Sequence, residues 1–230
     1  MTDPTVTIQH SPFTIQPERA ALCIVEMQND MVHESNIEKR GIRGVLAAQV
    51  QKRGVIPKLQ GVMAAARARQ VPILYVNFCL KPGFPRPNTL LHRRSQREPT
   101  LLEGTWGVQI HEALAARPED FVLERTVGID GSYGTQLYPV LRQLQRSTLL
   151  VAGVSTNLAI EGIVRASVNR GFDLVVNEDC CASYPDEWHR FSIENILPLI
   201  ATVTTSDAVV AALAGDLDPG CIIRPTGGRR

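Results

Sequence analysis

Aromatic side chains are scarce in this 230-residue chain: six Phe, four Tyr and two Trp amount to 5% of it. Because 44% of the residues are nevertheless hydrophobic, the core must be aliphatic, built from Val, Ile, Leu and Ala. A surplus of either charge is missing too. With 24 Lys and Arg against 23 Asp and Glu, the formal charge is +1, which gives no electrostatic case for nucleic acid or an anionic membrane surface. The basic cluster His92, Arg93, Arg94 and Arg97 therefore reads as solvated loop. No apolar stretch approaches the roughly 20 residues that span a bilayer, and Met1 to Gln16 shows no apolar leader segment. The five cysteines, at 23, 79, 180, 181 and 221, lack any C-x-x-C spacing. That pattern points to a reduced, cytoplasmic protein.

What the chain does have is alternation. Compact apolar runs recur at Ala21 to Met27, Val71 to Phe78, Phe121 to Glu124, Thr148 to Val151 and Asp173 to Val176, with a weaker one at Ala201 to Thr204. Continuous rather than alternating apolarity means burial on both faces, as parallel strands between helices require. Between them, Val55, Leu59, Val62, Met63 and Ala66 share one helix face. Leu137, Leu141 and Leu144 mark a second helix, and Thr156 to Arg170, closed by Gly171, a third. Glu187 to Leu197 and Asp207 to Leu213 supply two more, the last with Ser206 as its expected N-cap. The segment from Lys81 to Thr105, rich in Pro and Arg, reads as a long loop or lid, and the tail from Pro219 as peripheral. Strands alternating with helices predict an α/β fold with an open, doubly wound, mostly parallel sheet. Ligands bind outside the carboxyl ends of such strands, which directs attention to Glu26 to Asp30, Asn77 to Pro82 and Val154 to Asn157.

Six blocks, in order and at consistent spacing over about residues 20 to 214, carry a family resemblance. They are ALCIVEMQND (Ala21 to Asp30), GTWGVQIHEAL (from Gly104), RTVGIDGSYGTQL (from Arg125), VAGVSTNLAIEGIVRASVNRGFDLVVNEDCCAS (from Val151), WHRFSIENI and ATVTTSDAVVAAL. Together they resemble the isochorismatase-like superfamily of hydrolases. The resemblance implies one domain with a six-stranded parallel sheet flanked by helices, and a site at the carboxyl ends of strands one, three and four. It further implies an Asp–Lys–Cys triad in which a thiolate attacks a carbonyl or amidine carbon. A backbone oxyanion hole beside a cis peptide bond would stabilise the resulting negative oxygen.

Carried over residue by residue, the triad departs from that pattern at every place. The cysteine position falls on Ala159, which cannot be a nucleophile, and the aspartate on Glu26. The lysine falls on Arg125, or on Thr126 because the loop here is one residue longer. Three departures together speak for a divergent branch rather than a single substituted residue. Glu26 is the candidate general acid or base; its bland alternative is a buried ion pair with Arg125. Arginine stays charged and can hold an anion, but cannot give up its proton as lysine can. Gln28 and Asn29 could bind a ligand or cap the following loop, while Asp30 reads as a turn residue.

Ser155, Thr156 and Asn157, with Ala159, form the turn whose backbone N–H groups could bind an oxyanion; the Ser155 side chain, with no histidine base nearby in sequence, reads as a helix cap shared with Thr156 rather than as a nucleophile. Trp106, Phe84, Tyr133 and Trp188 could wall the pocket or pack between subunits; Trp106 and Tyr133 lie on segments that frame the site in relatives, while Trp188 reads as core or interface packing. Metal-binding members of the superfamily carry Asp-x-His after strand two. The stretch NFCLKPGF has neither ligand, and His33, His92, His111 and His189 are scattered, so no metal or other cofactor is expected. The expected function is a hydrolase acting on a small anionic or carbonyl-containing substrate without a cysteine nucleophile. Alternatives are a ligand-binding pseudoenzyme and an amidase with a relocated thiol from Cys23, Cys79 or Cys180. The resemblance also implies a homodimer or homotetramer.

Overall fold

The computed structural model describes residues 13–39, 41–84, 89–90, 93 and 100–216. Residues 85–88, 91–92 and 94–99 of the expected loop from Lys81 to Thr105, and the tail from Pro219, lie outside the described residues. The strands are β1 (Ala20–Val25), β2 (Ile73–Phe78), β3 (Phe121–Arg125), β4 (Thr148–Val154), β5 (Asp173–Ala182) and β6 (Thr202–Thr204). They form one sheet of order β3-β2-β1-β4-β5-β6, and every neighbouring pair is parallel. The helices are α1 (Asn29–Val32), α2 (Ile42–Arg53), α3 (Val55–Ala68), α4 (Leu137–Gln143), α5 (Glu161–Val168), α6 (Asp186–Phe191) and α7 (Ser206–Ala214).

Strand periodicity explains the layering. Successive side chains leave opposite faces of the sheet, so Leu22 and Ile24 of β1 join Tyr75, Leu150 and Ala152 in one core beneath α2, α3 and α7. Cys23 and Val25 join Leu74, Val76, Leu149 and Val151 in a second core beneath α4 and α5. Both cores are aliphatic, and the sheet is a buried layer between two helical layers, the expected doubly wound architecture. Its central pair, β1 and β4, lies in register from Ala20–Thr148 to Val25–Gly153. The carboxyl ends of β1 and β4 therefore meet at one edge.

Several boundaries differ from expectation, each for a physical reason. β1 stops at Val25, because Glu26 turns the chain with φ 52°. β5 runs on through the polar Asn177, Glu178 and Asp179 to Ala182, past a register shift opposite Val151 and Gly153. Helix α2 was not signalled, since its sequence, IRGVLAAQVQKR, is polar and carries a glycine. That glycine is required: a Cβ on Gly44 would lie 2.0 Å from the carbonyl oxygen of Lys39. The helix expected from Thr156 opens with a π-turn, Thr156–Ile160, before α5 begins. The helix expected over Glu187 to Leu197 is α6 followed by a π-turn (Ser192–Ile196) and a 3-10 turn (Leu197–Leu199). The cap of α7 is Thr205, whose side chain accepts the Ala208 N–H, and not Ser206. Ser206 instead donates its N–H and hydroxyl to Asp179 at 2.7 and 2.8 Å, so the polar tail of β5 anchors the last helix.

Candidate active site

The end of β1 is held by its neighbours on both sides. The Glu26 N–H donates to the Val76 carbonyl at 3.0 Å, and the Glu26 carbonyl accepts from Gln28 at 2.8 Å. On the other side β4 presses close. A Cβ on Gly153 would lie 2.1 Å from the Val25 carbonyl oxygen, and Gly153 has φ 123°. Glycine is therefore needed both for the approach and for the backbone angle. The chain then passes a cis peptide between Val154 and Ser155 and enters the Thr156–Ile160 turn. Glu26 itself occupies the left-handed region, uncommon for a residue with a side chain and often found at functional sites.

Arg125 ends β3 and reaches across to Glu26. Its Nη2 donates to Glu26 Oε1 in a short, buried ion pair. Nη1 donates to the Gly128 carbonyl at 2.7 Å, Nη2 also to Ile129 at 3.3 Å, and the guanidinium lies 4.7 Å from the centre of the Phe78 ring. Its Nε is buried without a partner. Of the two candidates for the lysine place, Arg125 is the one that meets the carboxylate. Burial pushes the Glu26 carboxyl above its ordinary range, with Arg125 opposing.

The remaining predicted residues divide into those tied to backbone and those at the surface. Gln28 is fully buried, donating to Phe78 and Val108 carbonyls at 2.9 and 2.7 Å and accepting the Phe78 N–H at 2.9 Å. Its amide thus cross-links β1, β2 and the 106–108 turn. Asn29 holds the Trp106 carbonyl at 3.0 Å, leaving its buried Oδ1 without a partner. Asp30 accepts the Leu101 N–H at 2.8 Å and pairs with Arg43. Trp106 (45% exposed) and Tyr133 (60% exposed) lie at the surface, and the Tyr133 ring covers Gly128. Phe84 is also half exposed, as is Trp188, which reads from the sequence as a packing residue.

At the turn, the Ser155 carbonyl accepts from Leu158 and Ile160 at 3.1 and 3.2 Å, and no side chain caps the helix. The expected Ser155–Thr156 side-chain cap is therefore absent, because the Thr156 hydroxyl is turned inward. Asn157 accepts a short bond from the Ser183 hydroxyl. Ala159 is buried, a member of the same aliphatic core as Val25 and Ile163.

One network escaped the sequence reading. Thr156 Oγ1 lies 2.8 Å from Nδ1 of the buried His189, whose Nε2 is 3.4 Å from Glu178 Oε2. Glu178 in turn accepts from Arg53 at 2.6 Å, and Arg53 also holds the Cys181 carbonyl at 3.0 Å. Burial alone would raise the Glu178 carboxyl, but His189 and Arg53 outweigh it and hold the group below the ordinary range. A buried histidine on α6 facing a glutamate in a polar strand tail is the signal that could have found this chain. Neither residue adjoins the other in sequence, which is why it was missed.

The four described cysteines are free and buried. Burial pushes the Cys23 and Cys181 thiols up to about 12 and raises those of Cys79 and Cys180 as well. That is the opposite of what activates a thiol.

Against this geometry the comparisons with known proteins fall into place. A family model described as the isochorismatase domain matches residues 20–208, and the chain belongs to the isochorismatase family of hydrolases. An uncharacterized isochorismatase family protein of Escherichia coli O157:H7, YecD, is 36% identical over 114 residues, covering 49% of this chain and 58% of that protein. The matched stretch is thus less than two thirds of that relative's length. The ureidoacrylate amidohydrolase RutB of Methylorubrum extorquens is 25% identical over 92% of this chain and 90% of its own. Among solved structures, a cysteine hydrolase from Pseudomonas syringae superposes with TM-score 0.75 at 24% identity, covering 94% of this chain and all of that one. N-carbamoylsarcosine amidase from Thermoplasma acidophilum gives TM-score 0.64 at 23% identity, covering 82% and 97%. At these identities the structural likenesses establish the fold.

Proposed function

We propose that this protein hydrolyses a small carbonyl-containing, anionic molecule without a cysteine nucleophile, using Glu26 as general base and then general acid. The observation that carries the reading is Glu26 itself: a buried carboxylate in left-handed backbone at the β1 exit, one residue past Val25, which pairs in register with Gly153. A raised carboxyl is suited to exchanging protons near neutrality. In the reaction, Glu26 takes a proton from water as the water oxygen bonds to the carbonyl carbon. The negative oxygen so formed is held by N–H groups at the start of the turn, those of Thr156 and Asn157, since the first N–H groups of a helix lack intrahelical partners. Collapse re-forms the carbonyl and expels the leaving nitrogen, which takes the proton back from Glu26. The amidohydrolase names of several relatives favour a carbon–nitrogen bond as the one cleaved.

Arg125 has its hydrogen bonds committed to Glu26, Gly128 and Ile129. Its part in this scheme is to set the charge of Glu26, and an anionic substrate would be met by groups of the turn. The test is turnover of isochorismate and a panel of amides, ureas and carbamates by the wild type and by Glu26→Gln. The reading expects a loss of about 100-fold or more in the variant; unchanged turnover by folded Glu26→Gln overturns it. Leaving Arg125 buried and unpaired could cost about 3–5 kcal/mol. Glu26→Gln combined with Arg125→Met therefore serves as the folded control.

The second reading, binding without turnover, is favoured by the burial of Ala159 and by the commitment of both terminal nitrogens of Arg125 within the protein. It expects no turnover across the panel, with small acids raising the melting temperature. We further propose that the protein works as a homodimer or homotetramer in the cytoplasm. The free thiols and the exposure of Leu158, Phe191 and Leu199 support this; light scattering tests the assembly. Among the described residues no helix is long and apolar enough to cross a membrane.

A further inference from the structure

Two His-Glu dipeptides far apart in sequence come together outside the Glu26 region. His33 caps the 3-10 turn Glu34–Asn36, and His111 caps the 3-10 turn Glu112–Leu114. The contacts cross. His33 Nε2 lies 3.5 Å from Glu112 Oε1, and His111 Nε2 lies 3.3 Å from Glu34 Oε2. The two imidazole centres are 5.1 Å apart, and one ligand atom from each of the four residues falls within 4.8 Å of all the others.

We propose that His33, Glu34, His111 and Glu112 form a binding site for a divalent transition-metal ion of the zinc type, which clips the segment after β1 to the segment before β3. Three observations carry this. First, both crossed contacts are long for hydrogen bonds, yet they match the edge of a tetrahedron of donors: metal–ligand bonds of about 2.0–2.1 Å give an edge of about 3.3–3.4 Å. Second, the donor set is chemically apt. Two neutral imidazoles and two carboxylates cancel a dication's charge, and imidazole nitrogen with carboxylate oxygen suits zinc and its neighbours. Among the described residues every ion pair of Glu34 and Glu112 is with these two histidines, so no Lys or Arg already balances them. Third, both rings are shielded while both carboxylates are more than half exposed, so an ion can arrive from solvent and be closed in by the glutamates.

Proton placement sets the strength. An ion on Nε2 moves the ring proton to Nδ1. For His33 that proton finds Ser35 Oγ at 2.9 Å, an outer partner of the kind that orients metal-bound histidines, in place of the Ser35 N–H that Nδ1 now accepts at 3.1 Å. For His111, Nδ1 now accepts the Ala113 N–H at 3.2 Å, a long bond that binding gives up. The expected affinity is therefore micromolar rather than that of a closed structural site. The family's metal pattern after strand two is absent from NFCLKPGF, and the cluster shares no residue with the catalytic proposal and stands independently of it.

The experiment is calorimetric titration of the chelator-treated full chain with zinc chloride, alongside its melting temperature. One equivalent bound per chain, with a rise in melting temperature, is the expected result. The His33→Gln, His111→Gln double variant should lose both effects while its metal-free melting temperature stays near that of the metal-free wild type. The proposal is overturned by absence of binding in the wild type, or by equal binding in the double variant, which would assign the zinc to cysteine thiols. If the double variant is unfolded, Glu34→Gln with Glu112→Gln replaces it; these exposed side chains can change without disturbing the core, and the same two outcomes decide.

Discussion

At the residue scale, Glu26 and Glu178 are displaced in opposite directions by neighbours of different kinds. Glu26 lies above the carboxylate range because burial outweighs Arg125, and Glu178 below it because His189 and Arg53 outweigh burial. A depressed carboxyl stabilises the fold fully above its unfolded value, near 4.5, and loses that contribution as pH falls through the folded value. Acid titration of the melting temperature should therefore show a loss below about pH 4.5 that Glu178→Gln reduces. For Glu26 the sign reverses: its contribution falls as pH rises from near 4.5 through the folded value. The pH profile of kcat/KM should accordingly place its acidic limb above 4.5, and a limb at or below that value would show that Glu26 is not the titrating base. His189→Ala leaves Thr156 and Glu178 without their buried partner and should cost about 1–3 kcal/mol in chemical denaturation. A change within experimental error would remove this network from the account of the turn.

At the scale of elements, what the sequence made legible was what repeats. The aliphatic runs marked five strands and the weaker sixth, and the spacing of Val55, Leu59, Val62, Met63 and Ala66 placed α3, all five being buried. Local rules failed where a tertiary contact decides. The polar Asn177, Glu178 and Asp179 look like a strand end, yet the strand continues because Asp179 holds Ser206 of α7 and Glu178 meets Arg53. Helix α2 has too few periodic apolar residues to announce itself, and its Gly44 is there for close approach to the 36–39 segment. Of the site, the position of Glu26 and its pairing with Arg125 were readable. The commitment of Gln28 to backbone and of Thr156 to His189 was not, because both depend on residues far off in the chain. Gly153 makes the strictest prediction at this scale. Gly153→Ala would drive a methyl group into the Val25 carbonyl at a backbone angle that side chains avoid, and should destabilise by more than about 2 kcal/mol or prevent folding. A near-neutral effect in a denaturant melt would mean that β1 and β4 do not meet as described.

At the scale of the whole molecule, an isochorismatase-family framework carries the centre that we propose to work without sulfur. The sheet order, the meeting of β1 with β4 and the cis bond before the turn are in place, while the position expected for sulfur carries a methyl group packed into aliphatic core. The thiols that remain among the described residues are buried and raised, which makes them structural filler. The central claim is therefore independence from sulfur, and it is tested most directly by the rate of hydrolysis before and after native treatment with iodoacetamide. The account predicts the same rate even where Cys221 becomes alkylated. A rate that falls in step with the number of thiols modified would contradict it.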